Sequence, residues 1–221
     1  MPGFALKYFN KTISSGPVLD LDAYFPQASQ FIDNWEEIRN EAYMLTEKLS
    51  EVPRFHELLE SQTRISTEGK GDWRVFIPRA YGVDIDSNMK KCPTLAKLLR
   101  RNKNVISANI SIIDPQKIIP LHRGPFKGIL RFSLGLSVPQ NSEGHPGVIL
   151  ILDGKDYRIG DGEYLLWDDT YEHGVKNETD KHRIVLLLDV YRPNMPVNLR
   201  LLSRLFIFLA KMTIKRKVNI W

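Results

Sequence analysis

Short apolar runs separated by turn residues fill the second half of this 221-residue chain, and they restrict its possible folds more than any other feature. From residue 105 onward, runs rich in Ile, Val, Leu and aromatic residues alternate with clusters of Gly, Pro, Asn and Asp, which is the pattern of an antiparallel sheet. The Asp153-Gly154 pair between two such runs predicts a two-residue hairpin turn. This many short strands predicts a sandwich or barrel of the jelly-roll type. The predicted strands cover 105–113, 128–138, 148–152, 155–159, 164–167, 173–177 and 183–191.

The first half of the chain shows helical periodicity instead. Apolar residues lie three or four positions apart between Pro26 and Pro53, which predicts a helix with one buried face and one charged face. A second helix is predicted over 94–101, directly after Pro93, because proline suits the first turn of a helix. The chain is therefore expected to be mainly β with flanking helices. The buried stripe of the first helix consists of Phe31, Trp35, Ile38, Ala42 and Leu45.

These patterns predict a single domain over 1–198 followed by a separate tail over 199–221. Within the domain, we expect a mainly helical part over 1–104 and a barrel core over 105–193. The chain is 43% hydrophobic and 26% charged. This composition excludes disordered, collagen-like and disulfide-rich classes of protein.

Charge and cysteine content restrict the compartment and the partners. The formal net charge is +5, which favours anionic partners but is too small to indicate nucleic-acid binding. Cys92 is the only cysteine and cannot form a disulfide within the chain. The first residues contain no apolar run of signal-peptide length, and no stretch approaches the roughly 20 apolar residues that span a bilayer. We therefore expect a cytoplasmic protein.

The tail over 199–217 combines Leu, Phe and Ile with basic residues at helical spacing. Two interpretations of this pattern remain open. The tail is either a basic amphipathic helix that lies on the anionic cytoplasmic face of a membrane, or a terminal helix docked on its own core or on a second subunit. The basic residues are Arg200, Arg204, Lys211 and Lys215.

Two of the five histidines stand where barrel folds place functional sites. His122 lies between two predicted strands, and His173 stands at the start of another. Two neutral imidazoles on facing strands are able to hold a first-row divalent metal, and imidazole suits Fe, Cu, Ni and Zn alike. The spacing does not select the metal. The remaining histidines, His56, His145 and His182, are interpreted as structural or exposed.

Two arginines interrupt apolar strands. Arg131 lies inside the run over 129–136, and Arg183 opens the run over 184–188. An arginine that points into a barrel is costly to bury unless an anion meets it, and its planar guanidinium matches a carboxylate with two hydrogen bonds. The alternative is that each arginine points outward or pairs with an acidic residue of this chain. The candidate partners are Asp168, Asp169 and Asp189.

In their order along the chain, these elements resemble the aspartyl/asparaginyl beta-hydroxylase family, whose members are iron(II)- and 2-oxoglutarate-dependent dioxygenases. The segments that carry the resemblance are IIPLHRGPFKGILR over 118–131, YRIGDGE over 157–163, WDDTYEH over 167–173, and Arg183. The resemblance extends back through GDWRVF over 71–76 and covers roughly 71–193.

The resemblance implies a double-stranded β-helix, a cupin-like jelly roll, in which His122 and His173 coordinate Fe(II). Most 2-oxoglutarate oxygenases add a carboxylate two residues after the first histidine, but that position is Gly124 here, which resembles the two-histidine pattern of the family. Arg183 is implied to bind the distal carboxylate of 2-oxoglutarate. Three further residues match cosubstrate-binding positions of the family, with serine replacing a common histidine at the last: Arg131, Ser111 and Ser133.

The resemblance further implies 2-oxoglutarate and dioxygen as cosubstrates and hydroxylation of an unactivated carbon as the reaction. Similar bacterial enzymes hydroxylate acyl chains of membrane lipids, notably the 2-position of a secondary acyl chain of lipid A. The basic tail favours such a lipid acceptor. Asp or Asn side chains of a peptide, a free amino acid, and a jelly-roll module that binds without catalysis are the alternatives. Four aromatic residues are candidates for the wall of the pocket, and the alternative for each is a place in the apolar core: Trp73, Phe76, Phe126 and Trp167.

Overall fold

A computed structural model describes residues 8–9, 11–59, 63–124 and 126–218, and it contains two antiparallel sheets with flanking helices. Pro125 of the 118–131 motif and residues 219–221 of the predicted tail lie outside the described residues.

The strands are β1 (Trp73–Ala80), β2 (Val83–Asp84), β3 (Val105–Ile113), β4 (Ile118–His122), β5 (Ile129–Ser137), β6 (Val148–Leu152), β7 (Lys155–Tyr157), β8 (Tyr164–Trp167), β9 (His173–Asn177) and β10 (Arg183–Tyr191). The α-helices are α1 (Leu21–Tyr24), α2 (Ser29–Ile32), α3 (Trp35–Thr46), α4 (Phe55–Leu58), α5 (Thr63–Thr67), α6 (Asp86–Met89), α7 (Pro93–Arg101) and α8 (Val197–Val218). Two short 3₁₀-helices cover Pro26–Ala28 and Leu49–Glu51.

The strand order confirms the predicted jelly-roll class. Six strands form the larger sheet in the order β2-β1-β3-β10-β5-β8, and four form the smaller sheet in the order β4-β9-β6-β7. From β3 onward the chain crosses repeatedly between the two sheets, as it does in a double-stranded β-helix.

Side chains that alternate along the larger sheet have opposite surroundings. Phe132 on β5 and Leu186 on β10 belong to the main core, together with the apolar faces of α3 and α7. Arg131 and Arg183, on the same two strands, line a pocket that residues of the smaller sheet close from the other side. Because successive side chains of a strand point to opposite faces, polar residues within these apolar strands mark the face that looks toward the smaller sheet.

Five of the seven predicted strands have the observed bounds, and the other two are shorter, as β5 and β7. Asp153 and Gly154 have φ angles of 51° and 74°, so the predicted hairpin turn has the type I′ geometry. Three strands were not predicted. β1 and β2 form a hairpin within the part of the chain expected to be mainly helical, and β4 precedes the His122 loop.

The predicted tail is helix α8, which docks along one side on the rest of the chain. Leu199, Ser203 and Ile207 are buried, and the Ser203 hydroxyl lies 3.4 Å from the carbonyl oxygen of Gly128. The opposite side of the helix carries exposed apolar residues. Across the described residues, no helix combines the length and the apolar character that crossing a membrane requires.

Candidate active site

All six residues predicted to act at a functional site line one pocket between the two sheets. The smaller sheet contributes two of them, and three neighbouring strands of the larger sheet contribute the others. These residues are His122 and His173 from β4 and β9, and Ser111, Arg131, Ser133 and Arg183 from β3, β5 and β10.

A β-bulge in β4 brings the two histidines side by side. Ile119 pairs with Val175 and His122 pairs with His173, so two residues of β4 oppose the single Gly174 of β9. The extra residue reverses the alternation of faces, and His122 therefore joins Ile119 in the pocket. Gly174 is required beneath the bulge, because a Cβ atom there would lie 2.8 Å from the carbonyl oxygen of Ile119.

Both imidazoles have the tautomer that a metal ligand needs. Their ring centroids are 4.1 Å apart. The Nδ1 atom of His122 lies 2.8 Å from the carbonyl oxygen of Pro120, and that of His173 lies 2.9 Å from the carbonyl oxygen of Tyr171. Because a carbonyl only accepts, each Nδ1 carries the proton and donates it, which leaves the Nε2 lone pair of each ring available.

The surroundings also keep the rings neutral. Burial lowers the pKa of His122, and burial together with the nearby His122 ring lowers the pKa of His173 to about 3. Metal coordination needs the neutral imidazole. Both rings are therefore favoured in the neutral form that binds a metal ion at neutral pH.

This pKa predicts a loss of stability in acid that depends on His173. The unfolded chain binds a proton near pH 6.5 while the folded chain does not, so the free energy of unfolding of the metal-free protein falls as the pH decreases below that value. Between pH 6.5 and 5 the contribution of His173 to this loss amounts to about 2 kcal/mol, and Asp169, whose pKa is raised to about 6 in the folded chain, offsets part of it. Urea denaturation of the wild type and of His173→Gln at both pH values measures this contribution, as the difference between the changes that the two proteins show. The same slope in His173→Gln, with His182→Gln as the exposed control, would contradict the assignment.

Gly124, two residues after His122, lies against a buried aspartate. The amide of Gly124 donates to the carbonyl oxygen of Asp169 at 2.6 Å, and a Cβ atom at position 124 would lie 2.3 Å from the Asp169 Cγ. Burial raises the pKa of Asp169 to about 6, and its Oδ1 atom has no hydrogen-bond partner among the described residues. From the sequence, Asp169 is a candidate only as a partner for an arginine.

We expect Gly124→Ala to lower the free energy of unfolding by about 1–3 kcal/mol, because the new methyl group forces the Asp169 carboxyl group out of its position. Thermal or urea denaturation measures the loss. In the Asp169→Ala background the space is open, so adding Gly124→Ala should cost little. Equal costs in both backgrounds would show that the two residues do not compete for this space.

Within the described part of the chain, the histidine pair is not joined by a third metal ligand of the usual kind. Across residues 8–9, 11–59, 63–124 and 126–218, no group of three His, Cys, Asp or Glu side chains is arranged to hold a metal ion. The described residues therefore offer two nitrogen ligands, and other molecules would have to complete the coordination of a metal bound there.

Arg131 is neutralised by the protein itself. Its Nε donates to Asp189 at 2.9 Å, and its guanidinium lies 3.5 Å from the Asp169 carboxylate. Burial alone would lower the pKa of Arg131, but these two carboxylates outweigh it and raise the pKa. For Arg131, the structure thus shows the pairing with acidic residues that the sequence left open.

Arg183 is the opposite case. Its side chain is 7% exposed, its Nε has no hydrogen-bond partner, and no carboxylate of the described residues lies within 4.0 Å of the guanidinium. Burial lowers the pKa of Arg183 to about 9. A buried, unpaired guanidinium is costly in free energy. The guanidinium of Arg183 is therefore suited to pair with an anionic ligand in the pocket.

Two serines lie in the pocket in matching arrangements. Ser111 accepts a hydrogen bond from the Trp73 indole, and Ser133 accepts one from the Trp167 indole, each at 3.0 Å. An indole N–H only donates, so each serine hydroxyl keeps its own proton for a further acceptor.

Most of the remaining wall is apolar. Trp73 and Trp167 line the pocket as predicted. Phe76 instead belongs to the main core. Phe126 belongs to an apolar cluster with Leu199 and Ile207 of α8, so the core alternative holds for these two residues. The apolar wall consists of Ile119, Val148, Leu150, Ile159, Leu165, Val175 and Leu187.

Sequence comparison places this arrangement in a family. The model of the aspartyl/asparaginyl beta-hydroxylase family matches residues 32–193. An ornithine lipid ester-linked acyl 2-hydroxylase of Rhizobium tropici is 34% identical over 188 residues, which are 85% of this chain and 64% of that protein. Aspartate beta-hydroxylase domain-containing protein 2 of Xenopus tropicalis is 30% identical over 189 residues, which are 81% of this chain and 50% of that protein. The chain thus spans half to two thirds of the length of these relatives.

Among solved structures, a prolyl-4-hydroxylase of Pseudomonas putida aligns with a TM-score of 0.47 and 12% identity, covering 72% of this chain and 87% of that one. The family match includes both histidines, both arginines and both serines of the pocket. The chain belongs to the aspartyl/asparaginyl beta-hydroxylase family.

Proposed function

We propose that this protein is an Fe(II)- and 2-oxoglutarate-dependent hydroxylase. The observation that carries the proposal is the unpaired guanidinium of Arg183, buried in the same pocket as two imidazoles with available Nε2 atoms. These two features fit a ligand that pairs with the arginine through a carboxylate and also binds, through other oxygen atoms, a metal held by the histidines. 2-Oxoglutarate is such a ligand.

The donor set fits a ferrous ion. His122 and His173 would hold the metal through Nε2, with each ring fixed by the hydrogen bond from its Nδ1 to a backbone carbonyl. Imidazole ligands suit iron, and a protein that supplies only two of them leaves several coordination positions for the cosubstrates.

The cosubstrate would be bound and oriented by residues of the larger sheet. Arg183 would pair with the distal carboxylate, which a planar guanidinium matches with two hydrogen bonds. The hydroxyl protons of Ser111 and Ser133 are available to donate to its oxygen atoms. Arg131 would contribute positive potential, reduced by Asp189 and Asp169.

Bound iron would supply the activation of dioxygen, coupled to oxidative decarboxylation of 2-oxoglutarate, which the side chains of the pocket cannot provide. The protein's own contribution is placement and the exclusion of water. The apolar wall of the pocket keeps bulk water from the reacting groups.

For the acceptor, we propose an acyl chain of a membrane lipid. Arg131 and Arg183 are the only cationic side chains among the described residues that line the pocket. If Arg183 holds the cosubstrate, no free cation remains there to bind an acidic side chain of a peptide. The relative from Rhizobium tropici is named for hydroxylation of an ester-linked acyl chain, which also favours a lipid over an Asp or Asn side chain.

The experiment incubates the purified full chain with Fe(II), 2-oxoglutarate and dioxygen, and measures succinate together with the acceptor mass. Ornithine lipid, lipid A and an Asp-containing peptide are the three acceptors. We expect succinate formation coupled to the gain of one oxygen atom by a lipid. Oxygen gained only by the peptide would overturn the acceptor assignment. Binding of 2-oxoglutarate without succinate from any acceptor would support a binding module instead.

A further inference from the structure

The outer face of α8 is an apolar stripe that nothing in the described chain covers. Its residues recur every three or four positions and are between 42% and 61% exposed. The opposite face is already used, because Leu199 and Ile207 are buried in a cluster with Phe126 and Ile129. The stripe consists of Val197, Leu201, Leu205, Phe208, Leu209 and Met212.

Basic residues follow one edge of this stripe. The sequence over 197–218 contains no Asp or Glu, and none of the four basic side chains at the edge has an ion-pair partner among the described residues. On a helix of 3.6 residues per turn, these four positions fall together on one side of the apolar stripe. They are Arg200, Arg204, Lys211 and Lys215.

A groove beside the helix gathers part of this charge. Arg204 and Lys211 from α8 and Lys103 from the segment before β3 line it. Its acidic lining residue, Asp84, is already paired with Arg79 at 2.6 Å. The groove therefore offers unpaired positive charge next to the exposed Phe208 ring.

We propose that the stripe and the groove form a docking surface for a bilayer that contains anionic phospholipids. Apolar side chains bordered by cations match the two layers of a membrane surface, with acyl chains below and phosphates above. A second copy of the chain fits poorly, because a symmetric contact through α8 would set its cations against the same cations of the partner, with no acidic residue of the helix to offset them.

The docking surface is joined to the candidate active site through one loop. The chain runs from His122 to β5 through Phe126 and Gly128. Phe126 packs against Phe206 of α8 with ring centroids 5.9 Å apart. A Cβ atom at Gly128 would lie 2.6 Å from the Ser203 hydroxyl. A bilayer bound to the outer face of α8 would therefore be separated from this loop by the helix alone, a distance of about 10 Å. Docking through this surface does not require the hydroxylation reaction.

The first test measures cosedimentation of the full chain with vesicles of phosphatidylcholine alone and with added phosphatidylglycerol. We expect binding only to the anionic vesicles. Because each basic residue near an anionic surface contributes about fivefold in affinity, Arg204→Gln/Lys211→Gln/Lys215→Gln should weaken binding roughly a hundredfold. The matched control removes three exposed lysines elsewhere, as Lys70→Gln/Lys155→Gln/Lys181→Gln. Equal weakening in the control would overturn the surface assignment and indicate only a net-charge effect.

The second test measures whether the apolar stripe of α8 enters the bilayer. Cys92 is fully buried, so Leu205→Cys provides a single reactive thiol for an environment-sensitive fluorophore, and Lys181→Cys provides the control. We expect a blue shift at position 205 on addition of anionic vesicles and none at position 181. A blue shift at position 205 without vesicles that grows with protein concentration would overturn the proposal in favour of a second copy. No shift at either position would also overturn it.

These results are independent of the proposed reaction. The His122→Ala/His173→Ala variant should bind vesicles as the wild-type chain does. Loss of vesicle binding in the α8 variants with unchanged Fe(II)-dependent succinate formation would separate the two functions. Vesicle binding that failed in the wild-type chain would overturn the docking surface and leave the reaction to be judged by its own assay.

Discussion

His122→Ala/His173→Ala is expected to abolish Fe(II) binding and the Fe(II)-dependent formation of succinate from 2-oxoglutarate. The described residues offer no third His, Cys, Asp or Glu in a metal-binding group with this pair, so the double variant leaves no protein ligand. Loss of a group that only supports a metal ligand already weakens metal binding by roughly 10–100-fold. Each single variant should therefore weaken Fe(II) binding at least that much, while excess iron restores part of the turnover.

The matched control is His145→Ala/His182→Ala, which removes the same number of imidazoles from the surface. His145 and His182 are exposed and lie near Glu143 and Asp114. We expect the control to bind one Fe(II) per chain with unchanged affinity, measured by anaerobic titration. Stoichiometric Fe(II) binding by the His122→Ala/His173→Ala variant would show that the metal site lies elsewhere.

Arg183→Met is expected to have two opposite effects. The affinity for 2-oxoglutarate should fall at least about 30-fold, because removing one partner of a buried charge pair costs 2–5 kcal/mol of binding free energy. Without ligand, the free energy of unfolding should rise by about 1 kcal/mol or more, since an unpaired buried charge is replaced by an apolar side chain. Calorimetry measures the first effect and urea denaturation the second.

An exposed arginine on α7 provides the control, as Arg100→Met. Neither the affinity for 2-oxoglutarate nor the stability should change appreciably in it. If Arg183→Met instead destabilised the ligand-free protein and left the affinity unchanged, the guanidinium would have a structural role that the described contacts do not show.

The sequence predicts those strands that are mostly apolar, or that alternate apolar and polar residues, and that are bounded by turn residues. β1 escaped prediction because Arg74, Pro78 and Arg79 interrupt its pattern. Tertiary contacts offset the free-energy cost of burying Arg79 in this strand, since its guanidinium pairs with Asp84 and donates to the carbonyl oxygen of Leu99 at 2.7 Å. β4 escaped prediction because Pro120 lies in it, at the bulge, where a missing backbone donor is tolerated.

For the histidines and arginines of the candidate site, the sequence predicts which residues are involved but not how they are arranged or paired. Residue types and their positions beside turns selected His122 and His173, but the bulge that aligns their rings depends on pairing between distant segments. Arg131 and Arg183 both interrupt apolar strands and look alike in the sequence. Only the contacts show that Arg131 is held by two carboxylates while Arg183 has none. The same contacts brought Asp169 into the site.

Anaerobic calorimetry with 2-oxoglutarate, in the presence and in the absence of Fe(II), tests the central claim most directly. We predict one Fe(II) per wild-type chain, binding of one 2-oxoglutarate that is strengthened by the metal, and loss of that binding in Arg183→Met. Binding of 2-oxoglutarate that neither the metal nor Arg183 affects would contradict the account.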